Sequence, residues 1–176
     1  GKDFADKMSG EATFKTATIT HPYSPSTLGA ELRLVDLRKH GCINREHIMI
    51  TLEEVIDVHR PVDECFQYVA DFRTTVEWDA TAIEAIKKTP GPISLNTQFA
   101  LKCKSGPTKL SLVYTVTELV PFHSIALVGK GRFFSIHDSI TFHDLGDGQT
   151  RIRYHAVFDF RYGMRGLARR VETGFQ

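Results

Sequence analysis

The chain has 176 residues, 41% of them hydrophobic, with 22 Lys and Arg against 21 Asp and Glu. That composition excludes a disordered, collagen-like or disulfide-stapled chain, and a formal net charge of +1 leaves no global electrostatic footprint for nucleic acid. No apolar run approaches the roughly 18 residues of a membrane-spanning helix.

Gly1 is not a natural start, so a processed or trimmed chain is expected. Residues 1–45 carry weak periodicity and read as an N-terminal extension. Within them Glu11–Thr20 suits one strand, His21–Ser26 turns the chain, and Leu28–Arg38 fits either a short helix or a strand. From residue 46 the pattern sharpens. His47–His59 is β-branched and predicts a strand. Pro61 suits the first turn of a helix, where a missing N–H costs nothing. Val62, Cys65, Phe66 and Val69 then form one helical stripe, and a second short helix is expected over Phe72–Trp78.

Strands follow in series. Thr81–Lys88 is strand-like, and Thr89–Pro92 is a loop. Asn96–Lys104 places Phe99, Leu101 and Cys103 on one face. Lys109–Leu119 does the same for Leu110, Leu112, Tyr114 and Val116. Ser124–Gly129 resumes after Pro121. Arg132–Phe142 aligns Phe134, Ile136, Ile140 and Phe142 with Asp138 among them. After the turn at Gly146–Gly148, Thr150–Arg161 aligns Ile152, Tyr154, Ala156, Phe158 and Phe160. Met164, Leu167, Ala168, Val171 and Phe175 trace a final helical stripe, with Arg165, Arg169 and Arg170 outside it.

The expected class is therefore α+β. A curved antiparallel sheet of six to seven strands wraps around a C-terminal helix, with two short helices after the first strand and an apolar cavity between sheet and helix. The extension, residues 1–45, precedes a ligand-binding domain over residues 46–176. Three cysteines, Cys42, Cys65 and Cys103, form no C-x-x-C pair, which predicts reduced thiols in a cytoplasmic protein.

In this order the motifs resemble the SRPBCC superfamily of helix-grip proteins, its START-like and polyketide cyclase-like branches above all. The likeness rests on Ile56–Val58, Pro61 with Cys65-Phe66, Asp71-Phe72 and Trp78. Leu95–Leu101, Tyr114–Pro121 and Gly148–Ile152 add to it. Asn96 or Leu95 stands where that family's third strand usually has Gly, and the final helix is shorter than the family's. The resemblance implies the helix-grip fold over residues 47–176. It also implies a small hydrophobic ligand, and not a particular activity, because one fold hosts carriers, receptors and enzymes.

Trp78, Phe99, Leu101, Leu112, Tyr114, Phe134, Ile136, Tyr154 and Phe158 are the expected lining of the cavity. The first reading is a non-catalytic carrier or sensor of a lipid-, polyketide- or aromatic-like molecule. The alternative is a cyclase, dehydratase or aromatase, with Asp138, Tyr114 and Tyr154 as acid/base candidates. Asp138 stands in phase with the apolar face, where a carboxylate needs a partner or a raised pKa. A salt bridge to an arginine of the final helix would be one such partner. His137, His143 and His155 fall on the opposite, polar face, and no metal-ligand set or cofactor motif is evident. Gly129-Lys130-Gly131-Arg132 reads as a solvated hairpin, with an anionic ligand held at the cavity mouth as the other option. Arg161, Arg165, Arg169 and Arg170 read as a solvated helix face, with contact to anionic lipid as the other option. A homodimer or partner contact through residues 1–45 is a third reading.

Overall fold

The computed structural model describes residues 16–20, 48–105 and 107–160. The helix-or-strand segment Leu28–Arg38, the C-terminal helical stripe and Cys42 lie outside them. Strand β1 (Thr16–Thr20) is followed by β2 (Ile48–Val58), helix α1 (Val62–Ala70), a 3-10 turn (Phe72–Thr74) and the one-turn helix α2 (Thr75–Trp78). Six strands follow: β3 (Ala82–Lys87), β4 (Gln98–Ser105), β5 (Thr108–Val120), β6 (Ser124–Lys130), β7 (Phe134–Gly146) and β8 (Gln149–Phe160). All belong to one antiparallel sheet in the order β1-β2-β8-β7-β6-β5-β4-β3. Seven strands thus come from residues 48–160, and Thr16–Thr20 adds an edge strand from the N-terminal extension.

Alternation decides which side of each strand is buried. Along β7, Phe134, Ile136, Asp138, Ile140 and Phe142 are buried while His137, Ser139 and His143 are exposed. The period of two sends these groups to opposite faces. The β7–β8 turn has Asp147 and Gly148 at φ of 51° and 69°. Both central residues are left-handed, as a type I′ hairpin requires, and Asp-Gly adopts that conformation readily. Register shifts at Ala82/Glu84 and Val116/Glu118 mark bulges, which bend the strands that carry them. The second changes the phase of β5, so that Leu119 joins the core two residues after exposed Thr117.

Pro61 caps α1 from outside, at φ −59° and ψ 149°, one position earlier than the sequence suggests. Its extended ψ is what an N-cap needs, and Asp63 and Glu64 in the first turn complement the helix dipole. Cys65, Phe66, Val69 and Ala70 form the buried stripe. Helix α1 packs on β7 and β8, and Phe66 meets Phe142 edge-on with ring centroids 5.4 Å apart. The Thr150 hydroxyl donates to the Arg60 carbonyl at 2.7 Å, tying the start of β8 to the entry of α1. The 3-10 turn and α2 pack on β3. The helical connection therefore crosses the apolar face from the middle of the sheet to its β3 edge.

Phe142 is 1% exposed, so Phe142→Ala should lower unfolding stability by about 3–5 kcal/mol. Asp57→Asn removes an exposed pair with Arg151 (2.7 and 2.8 Å) and should leave the denaturation midpoint nearly unmoved. Urea titration of both variants checks the contrast.

Candidate functional site

Cross-strand register assembles the site in rows. Leu52, Ala156, Asp138, Leu127 and Val116 stand side by side on β2, β8, β7, β6 and β5. All five are buried, and Asp138 is the one polar member, 2% exposed. The row on one side holds Tyr154 and Ile140. The row on the other holds Ile136, Gly129, Tyr114 and Phe99. Asp138 thus sits between two rows that each supply a phenol.

Tyr114 reaches Asp138 because β6 carries no side chain in its way. The Tyr114 ring lies over Gly129. A Cβ built there would stand 2.7 Å from both Cε1 and Cζ of the ring, closer than real contacts allow. The ring therefore extends across β6 toward β7. Gly131 is used in the same way, with Phe134 Cε1 2.9 Å from a would-be Cβ. This corrects the reading of Gly129–Arg132 as a plain solvated hairpin. Only its two cations suit that description: Lys130 and Arg132 are exposed, and Arg132 lies 5.0 Å from the Phe133 ring centroid.

Both carboxylate oxygens of Asp138 are buried, and neither has a hydrogen-bond partner. Burial pushes its pKa up. The Tyr154 and Tyr114 hydroxyls are near enough to pull it back in part without forming a well-aligned bond, and the charge of Asp79 pushes it further, to about 7. Burial likewise holds both phenols well above their usual range, with the Asp138 charge adding to the effect. The expected salt bridge to a final-helix arginine is not among the bonds of Asp138. The arginines themselves lie outside the described residues.

Aromatic rings surround this centre. Phe72 meets Tyr114 at 5.3 Å, Phe99 at 5.9 Å and Trp78 at 6.2 Å. Trp78 meets Tyr154 edge-on at 6.2 Å and donates its indole N–H to the Thr74 hydroxyl at 3.2 Å. Phe134, Phe158 and Phe160 stack further along the same face. Eight of the nine expected lining residues lie on this sheet face and Trp78 covers it. Trp78 and Tyr154 are partly buried and the other seven are buried.

Two participants escaped sequence reasoning. Asp79 follows α2 and turns inward. Its Oδ1 accepts from the Thr81 N–H and hydroxyl, both at 2.8 Å, while burial raises its pKa. Cys103 was placed on the apolar face but given no role. Burial, with the Asp79 charge, pushes its thiol up to about 12. The short S/T-like turn Asp79-Ala80-Thr81 was the available signal for Asp79, because an Asp accepting two residues ahead is an Asx turn. Among the described residues no three His, Cys, Asp or Glu side chains converge as a metal site.

A family model described as polyketide cyclase / dehydrase and lipid transport matches residues 49–176. No curated protein matches the sequence. Many solved structures share the fold. The Zhui aromatase/cyclase from Streptomyces sp. R1128 superposes with a TM-score of 0.57 at 14% identity, covering 65% of this chain and 70% of that one. A START superfamily protein from Mycobacterium smegmatis gives 0.57 at 12%, covering 70% and 89%. A Rhizobium loti protein gives 0.52 at 17%, covering 72% and 97%.

The raised pKa of Asp138 fixes a sign. Its native value of about 7 lies above the ordinary 3.8, so the folded state holds the proton more tightly. Stability should fall as pH rises from about 4 to about 7, by on the order of 4 kcal/mol, and level off above. Asp138→Asn should remove the Asp138 share of that fall and leave the same-sign share of Asp79, and denaturant midpoints at pH 4.5 and 8 (chosen to bracket the transition, ~) test it. Gly129→Ala should displace the Tyr114 ring and destabilise the fold by about 1–3 kcal/mol through overpacking. Gly129→Ala combined with Tyr114→Leu should recover most of that loss.

Proposed function

The chain belongs to the polyketide cyclase / dehydrase and lipid transport family, and we propose that it is a non-catalytic carrier or sensor of a small hydrophobic ligand. The ligand lies against the apolar face bearing Phe99, Leu101, Leu112, Tyr114, Phe134, Ile136, Tyr154 and Phe158, under Trp78. One observation carries this reading. A buried carboxyl group with both oxygens unpartnered sits at the centre of that face. Native folds rarely leave such a group without a use, because an orphaned buried polar atom costs stability. Binding would draw on burial of ligand surface, about 25 cal/mol per Å² before the costs of association. The two phenols and Asp138 would orient the ligand's polar end.

A specific observation also favours the second reading, an enzyme of the cyclase, dehydratase or aromatase type. Asp138 titrates near neutrality beside two phenols, which is where a general acid/base is effective. Fold likeness to an aromatase/cyclase adds to its prior and does not assign the reaction.

The proposal extends to cellular setting and partners. Cys65 and Cys103 are both free thiols, in keeping with a cytoplasmic protein. Among the described residues no helix is long and apolar enough to cross a membrane. Among the described residues β1 is the last strand on its side of the sheet and pairs with β2 alone, and we assign contact with a partner or a second copy to residues 1–45.

Native mass spectrometry of the purified chain, followed by denaturing extraction, should recover an apolar molecule at near-stoichiometric level. Tyr114→Asp or Phe134→Asp, with folding checked by circular dichroism, should lose it, and retained binding would sink the assignment. Turnover of a polyketide substrate that disappears in Asp138→Asn would instead establish the enzyme. Removal of residues 1–45 should lower the mass in solution if they join two copies.

A further inference from the structure

We propose that the ligand carries a protonated primary or secondary amine, seated on Asp138 among the Trp78, Tyr154, Phe72 and Tyr114 rings. This rests on the reading of the apolar face as a ligand site and specifies the chemistry of its polar end. The chain as a whole is balanced, 22 basic against 21 acidic residues, yet the field at this face is one-sided. Among the described residues the groups acting on Asp138 are the Tyr154 and Tyr114 phenols and the carboxylate of Asp79, with no Lys, Arg or His among them. Asp79 acts in the same direction on Tyr114, Tyr154 and Cys103.

A carboxylate ligand entering here would meet two acids and, among the described residues that act on Asp138, no cation. A neutral ligand would meet the protonated form of Asp138, which donates from one oxygen and leaves the other without a partner. An alkylammonium meets neither objection. Its N–H groups donate to the two unpartnered oxygens of Asp138, and charge-assisted bonds of this type are the strong ones. A buried charge is tolerated when it is paired and hydrogen-bonded, and here each ion would supply the other's partner. Binding below neutrality would release the Asp138 proton.

Trp78 is the sole tryptophan and lies beside the site, so its fluorescence reports occupancy. The probes are decylammonium, decanol and decanoate, kept below their micelle-forming concentrations and titrated into the intact chain at pH 8 (~, above the Asp138 transition). Decylammonium should bind about ten- to hundredfold more tightly than decanol, and decanoate most weakly. Asp138→Asn should reduce decylammonium to the affinity that decanol shows for the same variant. In the native chain, decylammonium affinity should fall by about tenfold per pH unit below 7, as Asp138 takes up its proton, which needs no variant to fold. Among the described residues, Asp79, Cys103, Tyr114 and Tyr154 are the other titratable groups at the site. Both phenols and the Cys103 thiol stay protonated across that range.

Decanol binding as tightly as decylammonium would overturn the inference and leave the apolar-ligand reading standing. So would an ammonium preference that survives Asp138→Asn. Binding of none of the three would overturn both.

Discussion

A carboxyl group on the inner face of a sheet has three physical options: find a cation, find hydrogen-bond donors, or keep its proton. Asp138 takes the third in the unliganded protein. Its neighbours in the row, Ala156 and Leu127, are apolar and buried, and β2 and β5 extend the row with Leu52 and Val116. The two phenols come close enough to soften the burial penalty without removing it. The arrangement resembles a site waiting for a polar atom more than a completed network, because a finished buried network leaves no acceptor idle. The surrounding structure is consistent with that view. Tyr114 is laid over a glycine, Trp78 is held by Thr74, and Asp79 is locked into its own turn by Thr81.

Much of this face was legible in the sequence because strand alternation has a period of two and leaves little freedom. Once Phe134, Ile136 and Ile140 point inward, Asp138 must do so as well, and the same holds for Tyr114 between Leu112 and Val116 and for Tyr154 between Ile152 and Ala156. What alternation does not encode is the lateral register between strands and the direction in which a ring lies. Nothing in Gly129-Lys130-Gly131 distinguishes a turn glycine from one that makes room for a neighbour's ring. That distinction depends on Tyr114, fifteen residues earlier, being paired directly opposite. Asp79 was missed for a related reason. It belongs to no periodic element, and its inward position follows from how α2 ends against β3. The helix predicted to close the face lies outside the described residues, so the sequence pattern remains its whole support.

The solved relatives with shared fold are 12–17% identical to this chain. At that distance what is shared is the architecture. The architecture specifies where a pocket forms and not what it recognises. The polar groups that would recognise a ligand here, Asp138, Asp79, Tyr114 and Tyr154, come from this chain's own sequence, so specificity has to be argued from them.

That separation also bears on the choice between carrier and enzyme. Both need an apolar face with a few oriented polar groups, and both tolerate a carboxyl group with a pKa near neutrality. They differ in what Asp138 must do with its proton. A general acid/base must exchange it with a substrate atom in every cycle, which requires that atom to lie within hydrogen-bond reach and the proton to return. A binding group need only adopt one charge state and keep it while the ligand stays. The unpartnered oxygens of Asp138 and the acidic field around it suit the second task directly, since an incoming cation would hold the group ionised. For catalysis the same field is less helpful. Asp79 disfavours any negative charge that develops nearby, so an enolate-like transition state would have to rely on the two phenols alone.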